Sequence, residues 1–328
     1  MQKNNSKPET IDTVLVVGAG IMGHGFAQLL AMNNIEVFLV DQSVEILDRA
    51  RGWIVDNLDY MIELGKLKVP EKEAALPRIN FTTDLAGNLS KADYVLEAVS
   101  ENFELKRDIW KMMGQRAAPG AILASNTSSY DIDALAEGVP NPERIIGTHW
   151  FHPPQITPCV EVIPSKYAGQ SYIDLVMEFL TGLGKMPTIC KSAPGFVANR
   201  IQIAMAAEAI ALVEEGLATP AEVDRVVKSS FGFRLGAYGP FEIIDQAGAD
   251  TYLSVFEYLA EKLGKAHFKP PELLKKQVKA SRLGLKSSGG FYDYGPGAAN
   301  AMRRDRDRKF YARLELVGKE GEQESKTS

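Results

Sequence analysis

Short apolar runs punctuate the N-terminal half of the chain, and helical spacing fills most of the intervals between them. Thr13-Val14-Leu15-Val16-Val17 stops at Gly18, and similar runs recur at Ile35–Val40, Tyr94–Ala98, Ala121–Ala124 and Arg144–Gly147. A strand covered on both faces reads in this way, without the polar alternation of a half-exposed one. Strands alternating with helices predict a doubly wound α/β sheet.

The pattern changes after Ser192-Ala193-Pro194-Gly195. From Phe196 to Glu215 the chain is rich in Ala, Ile, Met and Glu and has no strand-like alternation, and Gly216 stands where a helix C-cap belongs. Thr219-Pro220-Ala221-Glu222 reads as a capping box with proline at the first helical position. Helical spacing returns at Tyr252–Leu263 and Pro271–Leu283, and Met302–Leu316 predicts a charged helix whose arginines form a solvated face. The organisation expected is a doubly wound domain over residues 1–193, a smaller all-helical domain over 194–316 and a polar tail over 317–328. The first ten residues read as a loose tail.

Composition narrows the class. The 328 residues include 37 Lys and Arg against 42 Asp and Glu, a net charge of −5. A partner of nucleic acid or anionic lipid would carry a basic excess, so neither is expected. No apolar run approaches the length of a membrane span, and the polar N-terminus lacks the apolar core of a secretory signal. Two cysteines, Cys159 and Cys190, fit a reducing, cytoplasmic setting. The four histidines show no metal-ligand spacing, and no metal is expected.

Gly18-Ala19-Gly20-Ile21-Met22-Gly23 is a GxGxxG placed directly after a predicted strand and opening a predicted helix. That context marks the dinucleotide-binding (Rossmann) fingerprint. Gly18 permits the tight turn, Gly20 lets the backbone approach a pyrophosphate, and Gly23 lets the helix pack on the sheet. The amides at Ile21 and Met22 then meet the phosphates at the positive end of the helix. Asp41, followed by Gln42, ends the second strand, where an acid accepts the ribose hydroxyls and repels a 2′-phosphate. The expected cofactor is NAD; were Asp41 only a turn residue, NADP would compete.

His149 and His152 precede Pro153-Pro154, and a second apolar run follows at Cys159–Ile163. If the two runs pair as a hairpin centred on Gln155, His149 sits opposite Glu161. A carboxylate there fixes the imidazole tautomer, as a general base requires. Spacing alone also permits a core histidine with a satisfied hydrogen bond. Ser125-Asn126-Thr127-Ser128-Ser129 follows a predicted strand at the end where open sheets hold ligands, and reads as either a ligand loop or a polar turn. Asn199, by itself, reads as a capping residue.

In order, Gly18–Gly23, Val40-Asp41-Gln42, Glu101-Asn102-Phe103-Glu104-Leu105-Lys106, Ser125–Ser129, His149 with Glu161, Pro194–Arg200 and Lys286–Tyr292 resemble the L-3-hydroxyacyl-CoA dehydrogenase family over roughly residues 12–294. The resemblance implies an NAD-dependent oxidoreductase interconverting a 3-hydroxyl and a 3-keto group on a (S)-3-hydroxyacyl-CoA, a step of fatty acid metabolism. It implies His149 as general base with Glu161 as its partner, and Ser128 and Asn199 as positioners of the substrate oxygen and the histidine. Glu101, Lys106 and Lys286 match nicotinamide-side contacts. A cleft between the domains and a homodimer through the helical domain are also implied.

Two stretches depart from the resemblance. Leu64 stands where CoA-using members carry a lysine, and Asp56, Asp59 and Glu63 make that segment acidic, with Lys66 and Lys68 nearby. His152 replaces an asparagine that usually follows the histidine. Phe231-Gly232-Phe233-Arg234 precedes Gly239-Pro240, and members acting on free hydroxy acids such as gulonate or carnitine carry a basic residue near this point. Arginine is a natural bidentate partner of a carboxylate. Arg234 therefore reads as the anchor of a small non-CoA hydroxy acid, or as a surface arginine paired with an acid.

Overall fold

Residues Thr13–Val17 form strand β1, with Val14 and Val16 in one core cluster and Leu15 and Val17 in another. Successive side chains of a strand point to opposite faces. Both faces of β1 are therefore covered, which is why its sequence carries no polar alternation. The computed structural model describes residues 8–327, with side chains described as far as residue 317. Residues 1–7 of the expected N-terminal tail lie outside the described residues.

The other strands are β2 (Glu36–Val40), β3 (Ile79–Thr82), β4 (Tyr94–Glu97), β5 (Ile122–Ser125), β6 (Ile145–Trp150), β7 (Cys159–Pro164) and β8 (Met186–Ile189). They make one eight-stranded sheet in the order β3-β2-β1-β4-β5-β6-β7-β8. Pairing is parallel from β3 through β6; β7 runs antiparallel to β6, and β8 parallel to β7. Chain order reverses between β1 and β4, the switch point beside which open α/β sheets bind ligands. The hairpin register is the one centred on Gln155, with His149 opposite Glu161. Helices α1 (Gly23–Met32), α2 (Val44–Glu63), α3 (Val69–Ala75), α4 (Leu85–Asn88), α5 (Phe103–Arg116), α6 (Ile132–Ala136) and α7 (Gln170–Gly182) connect the strands.

Sequence patterning does not predict β3 and β8. Both are edge strands, and three of the four residues of β3 and all four of β8 are partly or fully exposed. An edge strand with a wet face lacks the continuous apolar run that marks β1, β2 and β4.

The chain forms two compact units, divided between Ala206 and Ala207. This division falls inside α8 (Ala198–Glu214), so the first turns of that helix belong to the N-terminal unit. The C-terminal unit continues with α9 (Pro220–Ser229), α10 (Phe231–Leu235), α11 (Pro240–Ala247), α12 (Ala249–Leu263), α13 (Glu272–Lys279) and α14 (Ala298–Thr327). Gly216 closes α8 at φ +70°, with the amides of Gly216 and Leu217 reaching back to the carbonyls of Val213 and Leu212. Thr219 and Glu222 form the reciprocal capping box at the start of α9. Beyond α13 the chain wraps the buried Asp245 carboxylate, which accepts from the amides of Phe291 and Tyr292 and from the Tyr294 hydroxyl. The backbone of α14 runs past Leu316 to Thr327, so residues expected as a polar tail continue the helix as far as they are described. Among the described residues no helix is long and apolar enough to cross a membrane.

Candidate active site

The turn from β1 into α1 is built by two glycines. Gly18 has φ +103°, and a Cβ there would lie 2.7 Å from the Ala98 oxygen. At Gly23 a Cβ would lie 1.8 Å from the Gly18 oxygen, so only glycine lets the helix start this close to the strand. Nothing stands within 4 Å of where a Gly20 Cβ would be. The amides of Gly20, Ile21 and Met22 make no hydrogen bond to the described residues, and Met22 caps the helix without a side-chain acceptor. Free amides, an open Gly20 and the positive end of α1 suit a pyrophosphate.

Asp41 lies just past β2 in the same cleft, whose empty volume of about 950 Å³ is also lined by Gln42, Arg49 and Val99. Its Oδ2 accepts from the Ala19 amide at 2.9 Å, so it braces the glycine turn as well as facing the cleft. A carboxylate has about four acceptor positions, and capacity for ribose hydroxyls remains. Arg49, on the second turn of α2 and 5.1 Å from the Trp53 ring, escaped sequence reasoning because it is remote from the fingerprint in sequence. His24 Nδ1 lies 3.0 Å from the Gly20 carbonyl oxygen, and burial, with His152 as a further cause, holds the imidazole below its ordinary pKa.

Across the switch point, the ends of β4 and β5 are joined by a ring of hydrogen bonds that one ion pair, Lys106 with Glu101, closes. Lys106, almost fully buried, places its ammonium 2.7 Å from Glu97 Oε1 and 3.4 Å from Glu101 Oε2. Thr127 Oγ1 donates to Glu101 at 2.9 Å, the Thr127 amide donates to Ser125 Oγ at 3.2 Å, and Ser125 Oγ donates to Glu97 Oε2 at 2.7 Å. Glu101 also accepts the Ser128 amide at 2.6 Å. Glu97, the last residue of β4, belongs to no motif in the sequence, although an acid closing the apolar run Tyr94–Ala98 is a visible signal.

His149, 3% exposed on β6, directs Nδ1 to Glu161 Oε2 at 2.7 Å. An ionised carboxylate only accepts, so in the neutral imidazole the proton sits on Nδ1 and the lone pair on Nε2. Nε2 makes no hydrogen bond among the described residues, and the ring lies between Phe151 (4.7 Å) and Phe196 (5.6 Å). Glu161 Oε1 accepts from the amides of Val197 at 2.9 Å and Ala198 at 3.0 Å. These amides open α8, where helix N–H groups lack partners and favour negative charge. The chain reaches them through Gly195 (φ +72°) and Phe196 (φ +49°), both left-handed. Cys190 is also beside this carboxylate, its Sγ 3.9 Å from Glu161 Oε1.

Asn199, on the first turn of α8, donates from Nδ2 to the Ser128 carbonyl at 3.1 Å. The N-terminal unit thus assembles His149, Glu161, Ser128 and Asn199 with Glu101 and Lys106. Arg234 and Lys286 lie in the other unit. Arg234 is exposed and makes no ion pair among the described residues, while Lys286 pairs with Asp250.

The family model described as "3-hydroxyacyl-CoA dehydrogenase, NAD binding domain" matches residues 13–193, and the one described as "3-hydroxyacyl-CoA dehydrogenase, C-terminal domain" matches residues 195–294. A probable 3-hydroxybutyryl-CoA dehydrogenase of Deinococcus radiodurans is 42% identical over 279 residues, which span 85% of this chain and 99% of that protein. The 5-formyl-3-hydroxy-2-methylpyridine 4-carboxylate 5-dehydrogenase of Mesorhizobium japonicum is 33% identical over 312 residues, spanning 94% of this chain and all of that protein. Among solved structures, a 3-hydroxyacyl-CoA dehydrogenase of Archaeoglobus fulgidus matches with a TM-score of 0.77 at 33% identity, covering 93% of this chain and 99% of that one.

Proposed function

The chain belongs to the 3-hydroxyacyl-CoA dehydrogenase family and is an NAD-dependent dehydrogenase, and from that premise we propose that it interconverts the hydroxyl of a (S)-3-hydroxyacyl-CoA and the corresponding ketone, with His149 as acid–base group and Glu161 as its partner. The observation that carries this reading is the buried 2.7 Å contact of Nδ1 with Glu161, which leaves Nε2 as the available base.

The glycine turn and Asp41 would hold the cofactor's phosphates and adenosine ribose. When bound, NAD supplies the hydride acceptor for the carbinol carbon. His149 Nε2 removes the hydroxyl proton as the hydride leaves, so that the C–O bond becomes a carbonyl. Glu161 stabilises the imidazolium that forms, and the α8 amides keep that carboxylate in place. In the reverse direction the same imidazolium returns the proton to the oxygen. Ser128 and Asn199, tied to each other, orient the reacting oxygen toward Nε2. General acid–base catalysis of this kind contributes about 10²–10⁴-fold.

A second reading is favoured by specific observations. Arg234 offers an exposed guanidinium without an ion-pair partner among the described residues. Leu64, 54% exposed, carries no charge, and the exposed Asp56 and Glu63 disfavour the phosphates of CoA, while Asp59 is paired with Lys72. The same chemistry would then act on a small hydroxy acid whose carboxylate Arg234 holds. Parallel assays with 3-hydroxybutyryl-CoA and with free acids such as gulonate separate the two. Turnover of the thioester supports the first reading, turnover of free acids alone supports the second, and NADH formation with neither class sinks both.

We also propose a homodimer through the helical unit, where Ile210, Leu217, Val226 and Tyr258 are each at least 60% exposed. Sedimentation at a single-chain mass across micromolar concentrations would contradict it.

A further inference from the structure

The hydrogen-bonded ring at the ends of β4 and β5 contains more charge than its neighbours require. Glu97 is fully buried, and each of its oxygens takes two donors: the Val99 amide and Lys106 on Oε1, Trp110 Nε1 and Ser125 on Oε2. A buried carboxylate persists only when satisfied in this way. The Lys106 ammonium donates to Glu97 and to the Val99 carbonyl and forms an ion pair with Glu101. One cation is thus shared by two carboxylates, and the group keeps one net negative charge. Of the two acids only Glu101 reaches the surface, with its side chain 39% exposed.

The adenosine side of the cleft is marked by Asp41 at the end of β2, and the pyrophosphate by the turn after β1. A dinucleotide crossing the switch point therefore brings its nicotinamide to the ends of β4 and β5, where Glu101 stands. That ring is cationic when oxidised and neutral when reduced.

We propose that Glu97 is a positioning residue with two effects: through Lys106 and Ser125 it fixes Glu101 and the turn after β5 that carries Ser128, and through its charge it makes this end of the cleft favour the oxidised cofactor. This rests on the reading of Glu101 and Ser128 given above. Without Glu97 the Lys106 charge cancels that of Glu101, and the preference for a cationic ring falls. Without the Ser125 hydroxyl the ring opens while every charge stays, so the turn that carries Ser128 loosens.

Two variants separate these effects. Dissociation constants of NAD⁺ and NADH are measured by fluorescence titration of wild type and Glu97→Gln, with no second substrate present. The expected result is a loss of NAD⁺ affinity about five-fold greater than the loss for NADH, as removal of one nearby charge implies. Equal losses, or none, would overturn the electrostatic effect; a purely structural role moves both constants alike. Ser125→Ala keeps every charge and tests the positioning effect whether or not Glu97→Gln folds. It should leave the NAD⁺-to-NADH ratio unchanged and raise the KM of the hydroxy substrate about five-fold, as loss of one hydrogen bond implies. An unchanged KM would overturn the positioning effect. Ser128→Ala is the reference: if it too leaves KM unchanged, the reading of Ser128 is wrong, whereas a raised KM there with none in Ser125→Ala faults only the role given to the ring.

Discussion

The Asn199 side chain donates to the main-chain oxygen of Ser128 at 3.1 Å, tying the first turn of α8 to the turn after β5. Residues 71 positions apart are thereby held on either side of one small region, and a third element, the β6–β7 pair, brings His149 and Glu161 to it. Removal of the tie should be felt in substrate handling more than in cofactor binding. Asn199→Ala is expected to raise the KM for the hydroxy substrate and lower kcat, with kcat/KM falling about ten-fold and the KM for NAD kept. Steady-state kinetics with each substrate varied in turn check this.

Asp41 has two tasks. It accepts the Ala19 amide, and it faces the cleft where a ribose would lie. Asp41→Asn keeps the size but removes the charge that repels a 2′-phosphate. The ratio of kcat/KM for NAD over NADP should fall at least about ten-fold, in proportion to the loss of that repulsion. A ratio equal to that of wild type would mean that another residue selects the cofactor.

Both thiols are held above their ordinary pKa. Burial is the leading cause for Cys190 and for Cys159, and the Glu161 charge adds to it. A raised thiol pKa means less thiolate at any given pH, and only the thiolate reacts. Labelling of the folded protein by a disulfide reagent near pH 7.5 should therefore run at least about ten-fold slower than in denaturant, and should accelerate only as the pH rises beyond the usual thiol range. Rapid labelling of Cys190 at neutral pH in the native protein would contradict the packing described around Glu161.

In the C-terminal unit, α14 grips the segment around Arg234. Phe310 packs edge-on against Phe233 at 5.3 Å, Arg313 donates to the Gly236 carbonyl at 3.2 Å, and Tyr238 donates to Asp305 at 2.8 Å. A Cβ on Gly236 would fall 2.2 Å from the Arg313 guanidinium carbon. The arginine can swing away, so Gly236→Ala should cost the contact rather than the fold, about 1 kcal/mol. Chemical denaturation checks the value. The same substitution in an Arg313→Ala background should cost markedly less, because the clash is then gone.

Much of the N-terminal architecture was legible because a strand buried on both faces has one signature. β1, β2 and β4 carry it, and the glycine turn between β1 and α1 has a spacing that few other structures need. The hairpin was legible for a different reason: a turn centred on Gln155 admits one register, and in that register His149 faces Glu161. Edge strands β3 and β8 were not legible, since solvent covers part of their surface and dilutes the pattern. Glu97 was hidden in plain view, because an acid at the end of an apolar run reads as the strand giving way to a loop. The two amides on Glu161 come from residues 36 and 37 positions further on, and no local pattern announces such a contact. Lys106, expected among nicotinamide-side contacts, has its ammonium committed to Glu97, Glu101 and the Val99 carbonyl, a placement that only the packing of α5 against β4 reveals.

The central claim is that His149 moves the proton while Glu161 holds it in place. Single-turnover formation of NADH by His149→Asn, measured beside equilibrium binding of NADH, tests this most directly. The expected result is a rate lower by about 10²–10⁴-fold with NADH affinity within about two-fold of wild type. A rate close to that of wild type would contradict it.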